Sequence, residues 1–214
     1  MEKNYNIQEL HDLFKSCLDI LKNDEEHLFG IEALNELSYF LILKMSEKYI
    51  INGSINIYNL ELYYDEINKY GKENFLEYLE YIKFTKLFNF VKMSKNESNI
   101  KKFFNDIILK EILYKHHKFK NIFYGKKLLI KQSVTIKKII IILNNINFDN
   151  YEYDILGEAY EYILCNKKSE MGQFFTTPKV KNLLVSLVNP KVKENGEIES
   201  VLDPSSGTGG ISRC

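Results

Sequence analysis

Two segments near the C-terminal end hold the residue types that could grip a small ligand. In Ser200-Val201-Leu202-Asp203-Pro204-Ser205-Ser206-Gly207-Thr208-Gly209-Gly210, a short apolar run ends in an acid and breaks into a turn of small residues. Glycine lets the backbone pass close to a ligand with no Cβ in the way. Such a turn after the first strand of a doubly wound sheet is a nucleotide-binding position. It is not the dinucleotide fingerprint, because the spacing is Gly-x-Gly-Gly. It is not a Walker loop either, because no Gly-Lys-Ser/Thr follows. The second segment is Gly172-Gln173-Phe174-Phe175-Thr176-Thr177-Pro178, after which Val180, Leu183, Leu184, Leu187 and Val188 recur at helical spacing. Thr177 is placed to cap that helix and Pro178 suits its first position. The loop sets two aromatic rings beside a helix start whose unpaired N–H groups can hold a carboxylate. The plainer reading is a loop anchored by two core Phe side chains.

Charge offers a second kind of chemistry. Lys+Arg and Asp+Glu each total 29, so a uniformly basic nucleic-acid coat is excluded, but a local patch is not. Residues 1–80 carry 16 acids and 7 Lys, net −9, whereas residues 101–140 carry 11 Lys and 2 acids, net +9. The basic stretch could face a phosphate backbone, with Lys126, Lys127 and Lys131 as the candidate DNA contacts. Alternatively it is a solvated face, or a face that docks on the acidic N-terminal third. No metal site is expected. His11, His27, His116 and His117 have no ligand spacing with acids, and neighbouring His116 and His117 on a helix would point about 100° apart. They read as surface or capping residues. Cys17, Cys165 and Cys214 are few and unclustered, which fits a reducing compartment.

The elements that must position these groups are mostly helical. Only three Pro in 214 residues argue for long uninterrupted helices. Ile7, Leu10, Leu13, Phe14, Cys17, Leu18 and Leu21 form one apolar stripe on a helix, ended by the polar Asn23-Asp24-Glu25-Glu26. A second helix spans about 31–51. It is apolar nearly all round, as suits the middle of a bundle, and Gly53 is its stop. Further helical patterns cover about 60–69, 73–92 and 98–116. Residues 119–131 read as a loop with short extended pieces, Ser133 as the N-cap of a helix through Leu143, and 144–150 as a turn-rich linker. Asp154 to Tyr162 is again helical, and Gly157 within it costs roughly 1 kcal/mol against Ala, so it permits a close approach. The fully apolar runs fall far short of the ~20 residues of a membrane helix, and the polar N-terminus has no signal-peptide core. An intracellular, cytoplasmic protein is expected.

Taken together, the helix Leu156-Gly157-Glu158-Ala159-Tyr160-Glu161-Tyr162, the Gly172–Pro178 loop and the Asp203–Gly210 turn resemble the modification subunit of type I restriction–modification systems and its relatives, the N6-adenine DNA methyltransferases. Asp203 to Gly210 is similar to the AdoMet-binding motif I, and Gly172 to Pro178 to motif X, in the order those adenine methylases use. Leu37 to Ser46 is loosely similar to the family's N-terminal helical domain. The resemblance implies a mostly α chain: an N-terminal helical domain, 1–149, then the incomplete start of an α/β, Rossmann-like AdoMet-dependent methyltransferase domain, 150–214. It implies AdoMet contacts at Gln173, Phe174, Phe175, Thr176, Thr177, Pro178, Asp203, Ser205, Gly207, Thr208, Gly209 and Gly210. It implies methyl transfer to the N6 of a flipped adenine. DNA, and a specificity subunit or a second chain carrying the rest of the domain, are the implied partners.

Two departures matter. Thr177 stands where the family often has Pro, which a capping Thr tolerates. More importantly, the catalytic Asn/Asp-Pro-Pro-Phe/Tyr does not occur: Asn189-Pro190 runs into Lys191-Val192. No catalytic residue is therefore assigned. Only 11 residues follow Asp203, fewer than the ~30 of a single further βαβ unit. The expectation is a fragment, from a truncated frame or a split gene, that binds AdoMet weakly or not at all and is inactive alone. The alternative is a non-enzymatic helical module that binds DNA or a partner and carries a vestigial cofactor loop.

Overall fold

In a computed structural model of the chain, residues 7–25, 27–94, 98–148, 176, 178–193, 196, 199–200 and 202 are described. The chain divides into two compact units, Met1–Glu152 and Tyr153–Cys214. Among the described residues there is no β-strand.

The first unit is built around α2 (Gly30–Ile51). Ala33, Leu34, Leu37, Phe40, Leu41, Leu43 and Ile50 are all buried, so apolar side chains leave this helix on most sides. It needs neighbours all round, and it packs against α1 (Ile7–Lys22), α5 (Phe84–Met93) and α8 (Ser133–Asn144). The stripe on α1 is as the spacing requires: Leu10, Phe14, Cys17 and Leu21 are buried. Burial pushes the Cys17 thiol up to about 12, so it is an inert core group rather than a nucleophile. Asn52 is the C-cap of α2, and Gly53 follows at φ 81°, a left-handed turn open to glycine.

Three helical patterns are subdivided. Residues 60–69 split into a 3₁₀ turn, Leu60–Tyr63, and α3, Tyr64–Tyr70. The 73–92 pattern breaks at Lys83 into α4 (Lys72–Glu80) and α5. The break is held from outside: the Glu47 carboxylate on α2 accepts the Thr85 N–H at 2.8 Å, capping the first turn of α5. The 98–116 pattern becomes α6 (Ser98–Phe103) followed by a π-helical run, Phe104–Leu113. Its i→i+5 pattern is closed by Tyr114 N–H on the Leu109 carbonyl at 2.9 Å. Apolar periodicity alone does not tell a wide turn from an α turn. A run of rings from Tyr63 and Phe75 through Tyr78 and Phe103 to Phe90 joins these short helices, with Phe90 and Phe103 at 4.6 Å between centroids.

After the short α7 (Lys120–Phe123) and a turn at Tyr124-Gly125, residues 126–132 have no regular structure and pair with no strand among the described residues. Side chains satisfy their backbone instead. Asn105 Oδ1 accepts the Leu128 N–H at 2.9 Å. Glu36 Oε2 accepts the N–H groups of Leu129 and Ile130 at 3.0 and 3.3 Å. Asp24 accepts those of Lys131 and Gln132 at 2.8 and 3.0 Å, and the Thr135 hydroxyl at 2.7 Å. Asp24 and Glu36 are 0% and 1% exposed. Leu128 and Ile130 point into the core while Leu129 faces out, the alternation of a half-buried strand without its ladder. Asp24 also lies at the positive end of α8. The N-cap of that helix is Gln132, with no side-chain cap bond, and not Ser133. Ser133 is instead the first helical residue, and its Oγ accepts the Lys101 N–H at 3.1 Å. Asp24, supplied from the α1–α2 connection, leaves Ser133 free for that second task.

The second unit contributes α9 (Pro178–Val188) to the described residues. Pro178 opens it, as its fixed φ and missing N–H favour. Asn189 follows at φ 47°, its N–H on the Val185 carbonyl at 2.8 Å, and Pro190 prevents continuation. Ser200 and Leu202, which flank the expected first strand, have no regular structure, and Leu202 is exposed. A parallel strand is stable only between neighbours, and the described residues supply none.

Removing Asp24 leaves two backbone N–H groups and a hydroxyl unpaired in the core. Asp24→Ala should cost about 3 kcal/mol or more in urea unfolding, with Asp24→Asn milder because its amide oxygen still accepts. A loss under ~1 kcal/mol contradicts the tether. Burial pushes the Glu36 carboxyl up to about 7, against the lowering effect of its two backbone N–H donors. Between its ordinary value and 7 the folded chain holds a proton that the unfolded chain has released. Stability from this group is thus full below pH ~4.5 and lost as pH rises through 7, by up to about 3 kcal/mol. Relative to wild type, Glu36→Gln should gain stability over that window; parallel pH profiles of the two proteins refute this.

Candidate functional site

Both ligand-type segments belong to the second unit, and most of their residues lie outside the described ones: Gln173, Phe174, Phe175, Thr177, Asp203, Ser205, Gly207, Thr208, Gly209 and Gly210. Thr176 is exposed, and Pro178 begins α9. The first turn of α9 carries no acid, and the sequence after Pro178 runs Lys179-Val180-Lys181.

The basic segment is resolved in detail. Lys126 and Lys127 are exposed at a corner set by Gly125 at φ 72°. The Lys131 side chain is exposed while its N–H is held by Asp24. Lys115 differs, since its ammonium pairs with the buried Glu66, which in turn lies near the Lys69–Glu111 ion pair of 2.9 Å. The acidic N-terminal third therefore does contact the basic region, but mainly by carboxylates on backbone amides rather than on ammonium groups.

The histidines are not equivalent. His116 is fully buried, contrary to the surface placement its sequence context suggests. Its Nδ1 accepts the Lys118 N–H at 3.3 Å, so Nε2 bears the proton and donates to the Asn56 carbonyl at 3.0 Å. Burial holds it below the ordinary imidazole range, with the Asn56 bond opposing. The rings of His116 and His117 stack at 4.6 Å instead of diverging, because residues 115–119 form turns and not a helix. No group of three or more His, Cys, Asp or Glu among the described residues could hold a metal ion. No helix among them is long and apolar enough to cross a membrane.

One recess in the first unit is a cleft of about 260 Å³. Lys44, Glu47, Lys48 and Thr85 are among its lining residues. Glu47 is spent on capping α5, and the buried Lys44 ammonium lies 5.5 Å from the Phe84 ring centroid. The cleft thus reads as a packing seam rather than a catalytic centre.

Comparison with known proteins covers part of the chain. Residues 151–212 match the family model described as N-6 DNA Methylase, so the resemblance to N6-adenine methyltransferases holds over this segment. The chain is 33% identical over 88 residues to the type I restriction enzyme EcoEI methylase subunit of Escherichia coli, covering 40% of this chain and 17% of that protein. It is 33% identical over 79 residues to the type I restriction enzyme MjaVIII methylase subunit of Methanocaldococcus jannaschii, covering 36% and 13%. The MjaVII methylase subunit of the same organism is 30% identical over 77 residues, covering 35% and 12%. The matched stretch thus spans less than a fifth of each of these relatives. No solved structure matches the chain.

Proposed function

We propose that these 214 residues are the N-terminal helical domain (1–149) and the AdoMet-facing start (150–214) of a site-specific DNA adenine-N6 methyltransferase of the type I modification-subunit kind. The observation that carries this reading is the N-6 DNA Methylase match over 151–212, which contains both Gly172–Pro178 and Asp203–Gly210. Phe174 and Phe175 give the cofactor apolar contact. Thr176 and the start of α9 take its carboxylate, and Gly207 to Gly210 let the backbone approach it. AdoMet supplies the methyl group. Lys126, Lys127 and Lys131 of the first unit contact DNA. The acceptor side of the reaction, which grips the flipped adenine, needs an Asn/Asp-Pro-Pro-Phe/Tyr tetrapeptide that these residues do not contain. A specificity subunit is the proposed partner, in the cytoplasm.

A half-site buries less ligand than the 70–90% typical of a small-molecule pocket. AdoMet should therefore bind the 214-residue chain in the millimolar range, roughly −4 kcal/mol. Titration calorimetry should show this weak binding lost in Asp203→Ala and in Phe175→Ala, and tritiated AdoMet should label no adenine in DNA. Binding indifferent to both substitutions overturns the cofactor assignment. Methyl transfer by this chain alone overturns its assignment to the cofactor side only.

A further inference from the structure

The strongest unassigned feature lies between the π-helical run and the extended segment. From Ile112 to Phe148 the sequence contains no Asp or Glu but eight Lys. Residues 116–127 fold within this stretch as consecutive tight turns. Lys120 N–H bonds the His116 carbonyl at 2.8 Å, Tyr124 N–H the Lys120 carbonyl at 2.9 Å, and Lys126 N–H the Phe123 carbonyl at 2.9 Å. The turns are anchored by Phe119 and Phe123, both buried, and by the buried His116. The Tyr114 hydroxyl donates to the Lys126 carbonyl, and its ring lies 5.7 Å from that of Tyr124. On the outer surface stand Lys118, Lys120, Lys126 and Lys127, with Tyr124 68% exposed among them. Among the described residues none of these four lysines forms an ion pair, unlike Lys115 with Glu66.

We propose that this corner, Lys118, Lys120, Lys126 and Lys127 around Tyr124, is a preformed contact for the phosphate backbone of duplex DNA. Four lysines held on one rigid set of turns, with no acid in the same stretch of sequence and no ion pair among the described residues, release counterions when phosphates replace solvent. An uncharged phenol beside them can donate to a phosphate oxygen and fix register, with no role in reading bases. Because the turns are already fixed by buried rings and by Tyr114, little ordering entropy is lost on binding. The corner deepens the DNA part of the proposed function and adds Lys118, Lys120 and Tyr124 to Lys126 and Lys127.

The test is fluorescence anisotropy of the full 214-residue chain with a duplex of arbitrary sequence across a salt series. The fourfold variant Lys118→Gln/Lys120→Gln/Lys126→Gln/Lys127→Gln should flatten the slope of log K against log salt by about 3 to 4, or ~0.9 per lost phosphate contact. A control removing equal charge elsewhere in the first unit, Lys15→Gln/Lys72→Gln/Lys86→Gln/Lys92→Gln, should leave the slope unchanged. Tyr124→Phe should weaken binding a few-fold at every salt concentration without changing the slope, since it removes no charge. Equal slopes for the fourfold variant, the control and wild type overturn the proposal, as does an equal loss in both multiple variants, which would reflect net charge alone. The AdoMet titration is separate. If it fails while the slopes behave as stated, the corner stands and the methyltransferase reading falls; if the slopes fail while AdoMet binding persists, only the corner falls.

Discussion

Two buried carboxylates, Asp24 and Glu36, do in the first unit what a neighbouring strand does in a sheet. Between them they accept the four consecutive backbone N–H groups from Leu129 to Gln132. Unpaired amides buried in a core cost too much to persist. Without these acceptors the segment could not lie against α2, and α8 could not start where it does. The arrangement also settles how an acidic N-terminal third and a basic middle third coexist. Asp24 and Glu36 face inward onto amides, while Lys126 and Lys127 on the same stretch are exposed.

The same economy recurs elsewhere in the unit. Glu47 of α2 caps α5 from a distance, and Asn105 within the π-helical run takes the Leu128 N–H. Short helices that would be marginal alone are thus fixed by side chains from the long ones. Glu66 and Glu111, both buried, are compensated differently, by Lys115 and Lys69. Two polar atoms in that cluster, the Tyr63 hydroxyl and Glu66 Oε2, have no hydrogen-bond partner. A buried charge with an incomplete shell contributes little net stability, so the ring cluster around Phe75 and Phe103 carries more of the packing there.

Much of this helical unit was legible from apolar spacing. The stripe of α1 and the all-round burial of α2 follow directly from residues such as Phe14, Leu21, Leu37 and Phe40. Spacing failed where long-range polar bonds decide the local form. Asp24 reads as part of a polar break, yet it governs the start of α8; its partners lie more than a hundred residues away, beyond any local pattern. Glu36 did leave a signal, an acid between Leu34 and Leu37 on a helix with no polar face. His116 was misplaced because a surface histidine and a buried one joined to two backbone groups look alike in sequence. The ligand motifs left a different signal. Their glycines, hydroxyls and aromatic pair carry the family resemblance, and the family match over 151–212 covers both segments, most of whose residues lie outside the described structure.

Hydrogen–deuterium exchange of the 214-residue chain, with and without AdoMet at several times its millimolar affinity, tests the account most directly. Slowed exchange should be confined to residues 172–178 and 203–210, while amides 129–132 stay protected in both samples because Asp24 and Glu36 already hold them. Protection by AdoMet anywhere in the first unit, or none in either motif, would contradict it.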